Sequence, residues 1–387
     1  MSAASANDGI AELWIPGPTQ VRPEILASCA EPMIGHRTPE MREVIAALDP
    51  HLHRAFGTDD VSHSVAVHSC TATALMEMGL RAVGPRVLAL TQGAFSERFA
   101  EIAEALGKDV TRVASPLGAR ADLARAAKVL SDGEPFDAVT VCASETSTGA
   151  LTSPEAIGAI LANRRGARIL MDVVTLLGAG PLELARHGID FALAGTQKAL
   201  ALPPGLGLYA VSKDMLASAA PSLSYFLDLR LISRTHAEQK PPMTPTIPLL
   251  RALRKQLETI TGGTLEREWL GMERREGAGE GGWALRFRRH RQMADRVTAF
   301  AKDHGLTRFG AAEGETSPSV TTLDVGGRDV KDLVAALTGR GFTIGTGYGA
   351  LATSCIRIGH MGDHTPARLE ALLEALGHLL GGAVPAQ

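Results

Sequence analysis

The chain has 387 residues, 45% hydrophobic and 21% charged, and its 39 basic side chains nearly balance 42 acidic ones, leaving a formal net charge of −3. With no block of like charge there is no long-range field to gather nucleic-acid phosphates or anionic lipid, and the length suits two domains, or one large α/β domain with a smaller one attached. The four cysteines (29, 70, 142, 355) form no C-x-x-C pair or Cys/His cluster, residues 1–10 lack the features of a signal peptide, and no apolar run reaches membrane-spanning length, so a cytoplasmic protein with a small-molecule partner is expected.

From Arg86 onward short apolar runs alternate with helix-like stretches. RVLALT (86–91), DVTRVA (109–114), DAVTVCA (137–143), ARILMDVV (167–174), IDFALAG (189–195) and GLGLYAVS (205–212) are the strand candidates. Alternation of this kind predicts a mainly parallel sheet covered by helices on both faces, and the continuous Val/Ile/Leu/Ala runs suit strands buried on both sides. After Leu249 the pattern turns to charged helices interrupted by the glycine-rich stretch 271–282, expected to be a mobile surface loop. Two further strand candidates, SVTTLDV (318–324) and SCIRIGH (354–360), each stand beside a helix pattern and predict a smaller α+β unit beginning near Gly262.

In a parallel α/β sheet the ligand crevice lies at the carboxyl ends of the strands, which directs attention to the polar residues just after the apolar runs. Thr71, Ala72 and Thr73 precede a helix whose N-terminus would favour a phosphate, though simple capping is the alternative. Phe95 follows RVLALT and could lie against an aromatic ring or be one more core residue. Only eight of the 39 basic residues are lysines, and Lys198 alone follows a buried-strand pattern directly. In a dry pocket such a lysine becomes a neutral nucleophile toward an aldehyde; reaching out to solvent is the competing reading, and position alone does not choose between them. Asp172 ends another apolar strand, where a buried carboxylate needs a cation, such as a pyridinium nitrogen, or several hydrogen-bond donors. Arg357 lies between apolar neighbours and needs an anion, either a substrate carboxylate or an internal Asp or Glu.

Taken in order, IPGPTQVRPEILASCAEPMIGHRTPEMREV, TQGAFSERFAEIAEALG, ETSTGALTSPEAI, MDVVTLLGAGPLELARHGIDFALAGTQKALALPPGLGLYAVS, MTPTIPLLRALRKQL and CIRIGHMGD resemble the class V, fold-type I, pyridoxal-phosphate-dependent aminotransferases, in the alanine-glyoxylate, serine-glyoxylate and serine-pyruvate branch. The resemblance implies an α/β fold with an N-terminal segment 1–22 packed near the active site and the small domain, a large cofactor-binding domain 23–261 built on a mainly parallel seven-stranded sheet, and a small α+β domain 262–387. It implies a Schiff base on Lys198, a ring-nitrogen contact from Asp172, phosphate contacts from Thr71, Ala72, Thr73 and Gln197, stacking by Phe95, and Ser147 and Val174 against the cofactor. Arg357, with Ser147 and His36, would meet the substrate. Family members are homodimers with active sites at the interface, so Thr244 would reach the partner's cofactor phosphate. Ala72 replaces the family's usual glycine, Phe95 replaces a frequent Trp, and Pro241 replaces an aromatic hydroxyl found in some relatives. The expected reaction is ping-pong transamination between a small L-amino acid, alanine or serine, and glyoxylate or pyruvate. The alternatives are a lyase or cysteine desulfurase on the same fold, and a transaminase for a larger, phosphorylated or phosphonate amine.

Overall fold

The computed structural model describes residues 10–272, 280–310, 312 and 315–381; most of the glycine-rich stretch, 273–279, lies outside the described residues. Strand β1 is Glu12–Trp14, followed by β2 His63–His68, β3 Arg86–Thr91, β4 Asp109–Ala114, β5 Ala138–Cys142, β6 Arg168–Asp172, β7 Phe191–Gly195 and β8 Gly207–Ser212. Strands β9 Thr307–Arg308, β10 Val320–Asp324, β11 Phe342–Thr346 and β12 Cys355–Gly359 follow.

The larger sheet has seven strands in the order β2-β8-β7-β6-β5-β3-β4, parallel except where β8 runs antiparallel to both its neighbours. Its central strands β5 and β7 are buried at every residue, as their unbroken apolar sequences require, whereas the edge strand β4 is largely open to solvent. Strand β2 was missed because histidines bound it. Both are buried here, with His63 and His68 Nε2 each 3.0 Å from a backbone carbonyl, of Ile189 and Phe226, so their polar atoms are satisfied.

The second sheet runs β1-β11-β12-β10-β9. The sequence predicted only β10 and β12; β1 and β9 are three and two residues long, too short to carry a periodicity, and β11 is a five-residue run with two threonines and a glycine. Along β12, Ile356 and Ile358 enter the apolar core with Leu323, under helices Gly282–Asp303 and Pro366–Leu380, so the alternation of side chains turns Arg357 to the opposite face, toward the large sheet. Strand β1 brings Trp14 into the same core, where its ring stacks on His364 at 3.8 Å.

The residues after β1 cross to the large sheet. Thr19 donates its N–H to the Gln197 carbonyl at 3.1 Å and its hydroxyl to the Met361 carbonyl at 3.2 Å. Two glycines allow this passage. Gly17 has φ +112° and a Cβ there would lie 2.7 Å from the Lys198 stem, while a Cβ on Gly359 would strike the Ile15 carbonyl.

Between the two sheets lies a buried ionic cluster. Glu266 accepts from Arg286 Nη1 at 2.6 Å and Arg289 Nε at 2.5 Å, and Asp363 accepts from Arg286 Nη2 at 2.8 Å and Arg22 Nε at 2.6 Å. Arg286 and Arg289 are 1% and 0% exposed. Burial by itself would raise both carboxyls, but the surrounding guanidiniums outweigh it and hold Glu266 and Asp363 below their ordinary values. Depressed carboxylates contribute stability above their unfolded pKa, about 4, and that contribution is lost as pH falls through the folded values. Glu266→Gln leaves two guanidiniums without their shared anion and is expected to lower stability by about 3–5 kcal/mol. Urea unfolding between pH 3 and 7 measures both effects, and a change below about 1 kcal/mol would contradict the role given to the cluster.

Candidate active site

The carboxyl ends of β3, β5, β6 and β7 and the loop after β2 converge on a cavity of about 310 Å³. Of the residues singled out from sequence, Thr71, Ala72, Thr73, Phe95, Asp172, Val174, Gln197 and Lys198 line it, joined by Arg98, Met76 and Thr146. Gly17 and Pro18, from the N-terminal passage, complete the wall.

Helix α1 spans Ala72–Arg81, so of the three residues expected before it only Thr71 precedes it, and Ala72 and Thr73 belong to its first turn. Thr71 caps it by accepting from Ala74 N–H at 3.4 Å, which leaves Ala72 and Thr73 in a first turn whose N–H groups have no intrahelical acceptor. Helix α2 spans Ala94–Ala105, and the residue at its N-cap, Gly93, has no side chain to cap it. Glu145, 0% exposed, takes that part: it accepts from the N–H groups of Phe95 at 3.2 Å and Ser96 at 3.1 Å and from the Ser147 hydroxyl at 2.6 Å. A Cβ on Gly93 would lie 2.5 Å from the Glu145 side chain, so the glycine and the carboxylate require each other.

Asp172 is 3% exposed, with Oδ1 accepting from Val174 N–H at 2.7 Å and no ion pair to any described residue. Burial raises its pKa to about 7; the Val174 N–H opposes this, Glu145 adds to it, and the charges of Lys198 and Arg98 oppose it again. Lys198, 8% exposed, donates from Nζ to the Pro16 carbonyl and lies 6.0 Å from the centre of the Phe95 ring. Burial, then the nearby charge of Arg357, lowers its pKa to about 8. Arg98 lies 4.8 Å from the same Phe95 ring centre and makes no ion pair among the described residues. Its signal in sequence was its spacing three residues after Phe95, which puts both on one helix face.

Arg357 is fixed by two carbonyls, Nε to Thr346 at 2.8 Å and Nη1 to Thr146 at 3.1 Å, leaving Nη2 open. Ser147 is near the cavity but off its wall, its hydroxyl held between Glu145 and the Ala94 N–H. His36 sits in a turn away from this cavity, and Thr244 is exposed and likewise outside it. Cys355 is buried within β12, with no exposed thiol to serve as a nucleophile.

Residues 74–266 match the family described as aminotransferase class-V. An uncharacterized aminotransferase of Methanocaldococcus jannaschii is 30% identical over 90% of this chain and 87% of its own length. The chain belongs to the class V aminotransferases. A Synechococcus protein named soluble hydrogenase, small subunit, is also 30% identical, over 95% of this chain and 94% of its own. Rabbit alanine–glyoxylate aminotransferase is 28% identical over 94% and 92% of the two chains. Among solved structures, an aspartate aminotransferase of subgroup IV from Thermus thermophilus superposes with a TM-score of 0.84 at 28% identity, covering 96% of this chain and 99% of that one. The architecture is therefore fold type I, and this class V aminotransferase is a transaminase by family.

Glu145 is the residue of this aminotransferase site whose part the sequence did not disclose. Glu145→Gln replaces an all-acceptor group by one that donates, so it cannot serve every donor now facing it, and stability is expected to fall by about 1–3 kcal/mol. Glu97→Gln, on the solvent side of α2 and 41% exposed, should change it by less than about 0.5 kcal/mol. Urea unfolding of the two variants makes the comparison, and equal effects would remove Glu145 from the role of cap.

Proposed function

We propose that the chain moves the amino group of a small L-amino acid, of the alanine or serine type, to a 2-oxo acid such as glyoxylate or pyruvate, with pyridoxal phosphate held in the cavity around Lys198. One observation carries this reading: a buried lysine and a buried carboxylate that lacks an ion-pair partner border the same cavity, which also meets the start of a helix. That donor set fits the cofactor, since a carboxylate raised to about 7 by burial is the group a pyridinium would stabilise, and the free N–H groups of Ala72 and Thr73 suit a phosphate.

When bound, pyridoxal phosphate supplies an aldehyde for amines and a protonated ring that accepts electron density. Lys198 would hold it by a Schiff base and, once released, carry a proton to and from the substrate α-carbon; a pKa of about 8 keeps part of the amine uncharged near neutrality. Asp172 would keep the ring nitrogen protonated. Thr71, Ala72, Thr73 and Gln197 would hold the phosphate, while Phe95 covers one ring face and Val174 packs beside it. The open edge of Arg357 would bind the substrate carboxylate. Gly17 and Pro18 close the cavity and help to exclude water. Donor and oxo acid would use the same site in turn, as a ping-pong scheme requires.

The proposal includes a homodimer in which Thr244 of one subunit approaches the phosphate in the other. Its exposure outside its own cavity, and the exposed apolar residues Leu223 and Tyr225 at 98% and 69%, support that arrangement. It also includes a cytoplasmic location, supported by four cysteines that all stand free. No described helix is long and apolar enough to cross a membrane.

Lys198→Ala should lose turnover with L-alanine and glyoxylate and the absorbance of the lysine-linked cofactor; retention of both would refute the assignment. A carboxyl raised to about 7 in the folded chain contributes stability at low pH that is lost as pH rises from about 4 through 7. An ionised Asp172 facing a pyridinium cancels that loss. Cofactor affinity should therefore rise between pH 6 and 8, and Asp172→Asn should flatten the rise, as equilibrium titration of the cofactor-free protein would measure.

A further inference from the structure

Tyr348 stands between Gly347 and Gly349 on the turn that joins β11 to β12, and its ring is 41% exposed. That ring lies between Phe95, on the cavity wall, and Arg357, the group that would grip a substrate carboxylate. Its centre is 5.8 Å from that of Phe95, whose ring lies 6.0 Å from Lys198 Nζ, and 5.5 Å from the Arg357 guanidinium carbon. The turn beneath it is firmly held. Gly347 donates its N–H to the Cys355 carbonyl at 2.6 Å, Leu351 donates to the Tyr348 carbonyl at 3.1 Å, and Arg357 Nε holds the Thr346 carbonyl at 2.8 Å. Gly347 packs so closely on the Leu351 backbone that a Cβ would collide with it.

We propose that Tyr348 is a specificity-determining residue, a fixed aromatic wall that restricts the amino donor to short side chains. The inference rests on the substrate reading given above and deepens it. An α-amino acid with its carboxylate on Arg357 and its nitrogen in place of Lys198 Nζ must send its side chain out between those two groups, alongside the Phe95 and Tyr348 rings. A methyl or hydroxymethyl group fits beside the rings. A branched or aromatic side chain has to displace Tyr348, and the hydrogen-bonded turn resists that movement.

The test uses the cofactor-loaded enzyme with glyoxylate as acceptor and L-alanine, L-serine, L-leucine and L-phenylalanine as donors. In Tyr348→Ala the ratio of kcat/KM for L-leucine or L-phenylalanine to that for L-alanine should rise at least about tenfold, chiefly through a lower KM for the bulky donor, as expected from the discrimination that apolar pockets reach. Tyr348→Phe should keep the wild-type ratio, because the wall is the ring and not its hydroxyl. An unchanged ratio in Tyr348→Ala, or a wild-type enzyme that accepts L-phenylalanine as readily as L-alanine, overturns the role of Tyr348 while leaving the transaminase reading intact. Loss of turnover with every donor in Tyr348→Ala, its circular dichroism unchanged, also overturns it by making the ring a requirement of binding instead of a filter. A wild-type enzyme that turns over none of the four donors overturns the substrate reading itself.

Discussion

Four consecutive residues, Gln197 to Leu200, are held from outside the sheet whose strand they follow. The Gln197 carbonyl accepts from Thr19, Lys198 Nζ donates to Pro16, the Ala199 carbonyl accepts from Arg286 at 2.5 Å, and the Leu200 carbonyl accepts from Gln256 at 2.9 Å. Gln256 in turn accepts from Arg22 and donates to Asp363, and Asp363 pairs with Arg286, so the last two tethers belong to one buried network. Breaking one partner in such a network exposes the rest to the full cost of burial without compensation. Placement of the lysine is thus a property of the N-terminal passage, the large sheet and the C-terminal unit together.

Charge within the cavity is arranged by the same economy of donors. Glu145 and Asp172 are both buried carboxylates, but they have different partners. Glu145 faces backbone and hydroxyl donors at the start of α2, whereas Asp172 has one backbone N–H and a place on the cavity wall. The first is satisfied by the protein, and its part is to hold Phe95 and Ser147 still. The second is left raised to about 7, a state suited to a cationic ligand group.

The large sheet was legible because its central strands are covered on both faces, so their sequences are unbroken apolar runs and polar residues such as Asp172 and Lys198 stand out at their ends. Reading failed where tertiary contacts replace local pattern. Strand β2 begins and ends in histidine, and β1 is three residues that form a strand only beside β11. Nothing in the helix pattern around Arg286 and Arg289 marks them as buried, because the carboxylates that neutralise them come from residues 266 and 363. Tyr348 lies in a glycine-rich turn with no local pattern, and the part of Glu145 has no local signal because the helix donors it serves lie about 50 positions earlier in the chain.

Strand β1 sets an order of assembly. Glu12 pairs with Phe342, about 330 positions later, so β1 itself cannot form until the second sheet exists, although the residues after it can already meet Gln197 and Lys198. During synthesis the large sheet can form with Lys198 already in place after β7, and the C-terminal strands then fix β1 and the passage that follows it. A chain cut short before residue 342 would keep the reactive amine and lose the strand that ties down its cover.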